Sequence, residues 1–224
     1  MKIAVLGPSP VPFTVGGVEN LLWGLCDAIN QLTSHQAELV KIPSREDDFW
    51  SLIDSYHTFY KLDLGHFDAV ICAKYPTWMI EHENCIYYIA HRLRGLYDTY
   101  KLFNLPITVH AGIKEIDAIM RYMAEAANPP NLDSFFEMIL SLKTRVHDIP
   151  ADYFSFPGPF IRSLVHYMDN YAMSKNAPQS YYCISETVKM RAEYFPADAK
   201  VQVAYPPSSL KDFYSGEYNQ VVFS

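Results

Sequence analysis

A three-layer α/β domain with a mostly parallel sheet is the fold class this sequence predicts. Short runs of branched apolar residues, KIAVL, FDAVICA and NCIYYIA, punctuate the first ninety or so positions. Strands covered on both faces have this near-continuous apolar character. Segments with helical spacing separate the runs, the alternation that right-handed βαβ units produce. Half of the 224 residues are hydrophobic and 15% are aromatic, enough for a substantial core.

The elements follow in order. Lys2 to Leu6 reads as a buried strand and residues 7–15 as a Pro-rich loop. A helix is expected from about Gly17 to Leu32, because Val18, Leu21, Leu22, Leu25, Ala28, Ile29 and Leu32 recur on one face. Ala37 to Ile42 is a second strand, residues 48–62 an aromatic helix, Phe67 to Ala73 a third strand and Asn84 to Ala90 a fourth. Residues 112–127 and 131–147 read as helices divided by Asn128-Pro129-Pro130, and a further helix from Phe160 to Ser174 follows the Pro157-Gly158-Pro159 turn. Strands return at Tyr181 to Ile184 and Val201 to Tyr205, with a helix capped by Ser185 between them, since a short oxygen acceptor satisfies an early helical N–H. Residues 206–218 read as a linker, and Gln220 to Ser224 as the opening of another strand.

Composition narrows the function. Charged residues are 19% and the formal charge is −7, without the basic footprint of a nucleic-acid binder. The cysteines Cys26, Cys72, Cys85 and Cys183 form no C-x-x-C pair and read as buried core residues of a reducing compartment. The N-terminal apolar run stops at Pro8, Pro10 and Pro12, unlike a signal peptide. No stretch approaches the roughly 20 apolar residues of a membrane span. A cytoplasmic location is expected, with attachment to the inner membrane face left open. His110, His147 and His166 are scattered, and no metal site or bound cofactor is expected. The aromatics Phe154, Phe156, Phe160, Tyr167 and Tyr171 read as core, with a lipid groove as the sharper alternative.

One loop carries a chemical signal. G-P-S-P-V-P-F-T-V-G-G-V-E joins the first strand to the first helix. Glycines at a helix start let backbone approach a ligand and present free N–H groups, and the helix dipole favours an anion there. A diphosphate suits that chemistry; a loop built for its own conformation explains two glycines equally well. The dinucleotide fingerprint G-x-G-x-x-G and the P-loop G-x-x-x-x-G-K-[ST] are both absent, which disfavours a nicotinamide or ATP enzyme.

The ordered set of segments resembles the N-terminal half of family 4 retaining glycosyltransferases of the GT-B fold. The opening K-I-A-V-L-G-P-S-P-V-P-F-T-V-G-G-V-E-N is similar to their strand, loop and G-G-x-E helix entry. F-D-A-V-I-C-A-K-Y-P, C-I-Y-Y-I-A-H-R-L-R-G-L-Y-D, Y-Y-C-I-S-E-T-V-K-M-R-A-E-Y-F and V-Q-V-A-Y-P-P keep the family order. The resemblance implies a Rossmann-like acceptor-side domain over 1–205, with a helical insertion around 100–175. Residues 206–224 would then be an interdomain linker and the start of a donor-binding domain. It implies transfer of a sugar from a nucleotide-sugar donor to a sugar or lipid-linked acceptor, with retention, in cell-surface polysaccharide or glycoconjugate synthesis. Most catalytic machinery would lie in the second domain, so the 224 residues alone are expected to be inactive. Glu38 and Glu46 have the family's Glu-x7-Glu spacing but in the wrong half, and read as a chance match.

The resemblance nominates residues. Gly16 and Gly17 would contact the donor diphosphate, and His91, at the end of the fourth strand, would orient sugar or phosphate. Glu19 would repel a diphosphate at close range; it faces the acceptor, pairs with a basic residue or stabilises the helix start. Arg92 and Arg94 could fork onto an anionic acceptor. Lys74 and Tyr75 end the third strand on the same sheet edge and are cleft candidates. A non-catalytic Rossmann-like binding or partner subunit is the alternative from another class. A nucleotide-sugar epimerase is disfavoured because it needs the missing dinucleotide fingerprint.

Overall fold

A computed structural model describes residues 1–9, 16–127, 129–175 and 181–206. The strands β1 (Lys2–Ser9), β2 (Gln36–Pro43), β3 (Ala69–Lys74), β4 (Cys85–His91), β5 (Tyr181–Cys183) and β6 (Val201–Val203) form one sheet in the order β2-β1-β3-β4-β5-β6. Every pairing is parallel. The chain moves outward from β1 to β2, then returns past β1 to β3, so the strand order reverses between β1 and β3. In open sheets that point makes a crevice beyond the carboxyl ends of the strands.

The two crossovers around this point place helices on opposite faces, as right-handed connections require. Helix α1 (Gly17–Leu32) covers one face, where Leu21, Leu22 and Cys26 pack with Ile3, Val5, Ile71, Tyr88 and Ala90. Helix α2 (Phe49–Tyr60) covers the other, joined by α3 (Lys114–Glu125), α4 (Asp133–Ser141) and α5 (Pro159–Lys175). Alternate strand residues split between the layers: Ala4, Leu6, Val70, Cys72, Tyr87 and Ile89 point to the larger core. The sheet is thus sandwiched in the three-layer α/β arrangement.

Helices within 100–175 share that larger core. Phe160, Ile161, Leu164, Val165 and Met168 of α5 are fully buried, and the Tyr87 hydroxyl donates to the Ala172 carbonyl at 2.9 Å. Phe154, Phe156 and Tyr167 pack against this core, while Phe160 and Tyr171 are inside it. All four cysteines are free and buried. No helix among the described residues is long and apolar enough to cross a membrane.

Several boundaries differ from expectation. β1 continues through Gly7 and Pro8 to Ser9, paired with β2 along its full length, where sequence reading placed a loop. Leu32 is 81% exposed at the last position of α1 rather than on its buried stripe. The helix after Ser185, α6 (Glu186–Lys189), is a single turn, its start held by a 3.2 Å bond from the Val188 N–H to the Ser185 hydroxyl. The rest of the opening loop, 10–15, the linker beyond Pro206 and the strand expected at 220–224 lie outside the described residues.

Candidate functional site

His91 is the last residue of β4 and Gly17 the first of α1. Both line one cavity of about 480 Å³ at the carboxyl edge of the sheet, with Val18, Leu21, Ala90 and Ile184 supplying most of its apolar wall. The strand-end histidine and the glycine-initiated helix, 74 positions apart in the chain, thus share a crevice.

The two glycines play different parts. Gly16 is the residue before the helix and is extended, with φ −115° and ψ −172°, a conformation open to any residue. Its N–H donates to Glu19 Oε2 at 3.0 Å, and a Cβ at position 16 would lie 2.8 Å from that oxygen. Gly16 therefore admits the returning carboxylate. Glu19 closes the helix start, one of the three roles the sequence left open, and its charge opposes the positive end of the helix dipole. Gly17 is exposed, and among the described residues nothing lies within 4 Å of where its Cβ would be. First-turn amides beyond Gly16 have no partner within the helix. An anion would meet those amides from the Gly17 side, with Glu19 already occupying the Gly16 amide.

His91 is half-buried. Its Nδ1 lies 3.0 Å from the Arg92 carbonyl oxygen, a contact that fixes Nδ1 as the protonated nitrogen of a neutral ring and leaves Nε2 as an acceptor. Burial holds its pKa below the usual histidine value; the bond to the Arg92 carbonyl partly opposes this and the Lys74 ammonium adds to it. Lys74 is the β3 residue in register with His91. Tyr75 meets the His91 ring edge to face at 5.7 Å between centroids. Lys74 and Tyr75 are both buried, at 8% and 4% exposure. Burial, with the Glu46 carboxylate close by, raises the Tyr75 phenol well above its ordinary range.

Sequence reasoning missed the role of Glu46. The Lys74 Nζ is 3.7 Å from Glu46 Oε1. Glu46 falls three positions beyond Pro43, the last residue of β2, so a reading that followed every strand to its carboxyl end would have found it. Its Glu-x7-Glu partner, Glu38, is an exposed residue within β2. Glu46, Lys74, Tyr75 and His91 thus gather at the ends of three strands.

The arginines separate from this group. Arg92 is 1% exposed and points into the larger core, so an anionic acceptor in the cleft does not reach it. Its guanidinium donates to Tyr97 Oη at 2.7 Å and to the Tyr194 carbonyl at 3.1 Å, and lies 3.5 Å from Asp169 Oδ2. Asp169, fully buried, also accepts from Tyr56, Trp78 and Tyr97. Strand alternation explains the outcome, since consecutive residues at the end of β4 face opposite layers. Arg94 is exposed in a surface cluster, its Nε 3.5 Å from Asp98 Oδ2, which Arg191 approaches at 3.0 Å. His166, partly buried, stacks on Tyr97 at 3.9 Å. Among the described residues no group of three or more His, Cys, Asp or Glu side chains is arranged to hold a metal ion.

No family model matches the chain, and no curated protein or solved structure matches it at a significant level.

Proposed function

We propose that this domain is the acceptor-side half of a retaining, nucleotide-sugar-dependent glycosyltransferase of the GT-B type. The observation that carries the reading is the shared cavity of Gly17 and His91 at the carboxyl edge of the sheet. A helix N-terminus and a neutral imidazole there offer donors to a diphosphate and an acceptor to a sugar hydroxyl. In this reading the first-turn amides of α1 support the leaving diphosphate and stabilise the charge that develops on it. His91, protonated on Nδ1, presents Nε2 to a hydroxyl of the transferring sugar and orients it. The leaving diphosphate takes the acceptor proton as the new bond forms on the same face. In the family the chain resembles, a second domain grips the nucleotide itself, so affinity of these 224 residues alone for nucleoside diphosphates is expected in the millimolar range.

One observation favours a second reading, a binding domain without chemistry of its own. The Glu19 carboxylate on the Gly16 amide places negative charge where the diphosphate would approach.

Nuclear magnetic resonance titration with nucleoside diphosphates and nucleotide sugars separates the two. Joint perturbation of the Gly17 and Val18 amides and the His91 ring, weakened in His91→Ala, supports the transferase reading. Titration to high millimolar concentration without a response at either position overturns it.

A further inference from the structure

One segment of the surface is apolar and carries only positive charge. Three of the nine large hydrophobic side chains exposed among the described residues fall within six positions: Leu102 at 77%, Phe103 at 48% and Ile107 at 61%. Lone exposed apolar residues are ordinary, whereas a cluster marks a contact surface. The fold holds this one in place. Leu105, Val109 and Ile113 pack against the larger core and anchor the segment from within. Asn104 turns the chain in the left-handed region, with φ 51°. The Tyr100 hydroxyl donates to the Pro106 carbonyl at 2.7 Å, which draws the chain at Ile107 back to the start of that turn. The Tyr153 hydroxyl fixes the far side by donating to the His110 carbonyl at 3.0 Å. Residues 99–114 contain Lys101, His110 and Lys114 and no Asp or Glu, in a chain of net charge −7. The acids next in sequence are engaged. Asp98 accepts from Tyr194 and pairs with Arg191, Glu115 pairs with Arg145, and Asp117 accepts from the Gly112 N–H.

We propose that residues 101–110 are a membrane-contacting loop, and that its partner is the headgroup region of a bilayer containing anionic lipid. An interfacial contact needs apolar side chains to enter the acyl boundary and basic ones beside them to meet the phosphates. Leu102, Phe103 and Ile107 supply the first, and the exposed Lys101 and Lys114 the second. A protein partner fits less well, because three side chains fall short of the roughly 1,200–2,000 Å² that a stable protein interface buries. The overall negative charge does not prevent approach. At physiological salt, exposed charges more than about 8 Å away are largely screened, and the local lysines decide. None of these residues lines the cavity of Gly17 and His91, so the surface stands apart from the transferase reading.

Co-sedimentation of the 224-residue chain with vesicles tests this at low ionic strength, using phosphatidylcholine alone and phosphatidylcholine with phosphatidylglycerol in equal parts. Binding to the mixed vesicles is expected, several-fold stronger than to the neutral ones. Leu102→Ser with Phe103→Ser is expected to weaken it about tenfold or more, the range for apolar side chains that no longer leave water. Lys101→Gln with Lys114→Gln is expected to weaken it several-fold on the mixed vesicles only. All four positions are exposed, so the variants should stay folded, which melting temperatures check. Phe103→Trp adds a direct readout. Its emission should move to the blue on mixed vesicles beyond any change in the parent. No binding to the mixed vesicles overturns the proposal, as does binding that the Leu102 and Phe103 substitutions leave unchanged. So does a concentration-dependent dimer, followed by sedimentation velocity, that the same double substitution abolishes, because the segment would then join two copies of the chain.

Discussion

Lys74 and His91 face each other across the β3–β4 pair at the carboxyl edge of the sheet, a buried cation beside a half-buried imidazole. Burial first, then this ammonium, keep the ring neutral below its ordinary titration point of about 6.5. His166 is depressed as well, chiefly by burial. The linkage has a definite sign. The unfolded chain protonates these rings near pH 6.5 while the folded chain resists, so the unfolded state binds more protons below that point. Stability contributed by the neutral rings is complete above about pH 7 and is lost as pH falls through 6.5 toward the folded values. Thermal melts between pH 7.5 and 5.5 should therefore show a falling midpoint, with a shallower slope in His91→Gln and shallower still in His91→Gln with His166→Gln. Equal slopes in all three proteins would refute the assignment.

The Glu19 carboxylate and an incoming diphosphate compete for the same helix start. Glu19→Gln removes the negative charge and weakens the bond to the Gly16 amide. Two opposite effects are expected. Stability falls by about 0.3–1 kcal/mol, because a carboxylate at a helix N-terminus offsets the dipole. Pyrophosphate binding, followed by calorimetry at low ionic strength, strengthens several-fold. Unchanged pyrophosphate affinity in Glu19→Gln would show that anions do not use this end of α1.

Much of this was legible in the residues, and the exceptions have physical reasons. Branched apolar runs located β3 and β4 to within a residue or two, because strands buried on both faces leave little room for polar residues. The carboxyl-edge rule alone brings His91 and Gly17 to the same edge of the sheet. What failed was direction. Arg92 follows His91 in sequence, and one step along an extended chain turns a side chain from the cleft into the core. Asp169 is a lone acid on an otherwise apolar helix face, among Leu164, Val165, Met168 and Ala172, and that anomaly signals a buried partner. Which partner it meets depends on packing between α5 and β4, and no local pattern encodes that. Glu46 escaped because it sits in a charged run, S-R-E-D-D, where one carboxylate looks like its neighbours.

The absence of a side chain at Gly7 of β1 makes room for Leu22 of α1. A Cβ built on Gly7 would lie 2.5 Å from Leu22 Cδ1, inside any permitted contact. Leu22 is 1% exposed, so its side chain has little room to yield. Gly7→Ala should cost about 1–3 kcal/mol, the usual range for forcing a methyl into a packed core. The penalty should shrink when Leu22→Ala is introduced alongside, since truncation opens the space the new methyl needs. Urea unfolding of the four proteins of the cycle measures this coupling. Additive losses would mean that the helix relieves the clash by shifting as a body.

Asp169 ties four elements together. It accepts from Tyr56 of α2 and Tyr97 after β4, each through a hydroxyl, and from the Trp78 indole beyond β3, and it faces the Arg92 guanidinium at 3.5 Å. With side-chain exposures of 2% and 0%, neither charge of the pair has water to fall back on. Removing one partner strands the other, which costs about 3–5 kcal/mol, whereas replacing both by apolar groups of similar volume is often close to neutral. Arg92→Met should therefore be strongly destabilising in urea unfolding. Arg92→Met with Asp169→Leu should recover part of that loss, although three donors, Tyr56, Tyr97 and Trp78, would then lack their acceptor and limit the recovery. The single variant also separates structure from ligand binding. Since Arg92 does not reach the cavity, Arg92→Met should leave nucleoside diphosphate affinity within about twofold of the parent at temperatures where it stays folded, a margin of under 0.5 kcal/mol. A larger loss in the folded variant would show that this network positions His91 through the Arg92 carbonyl it contacts.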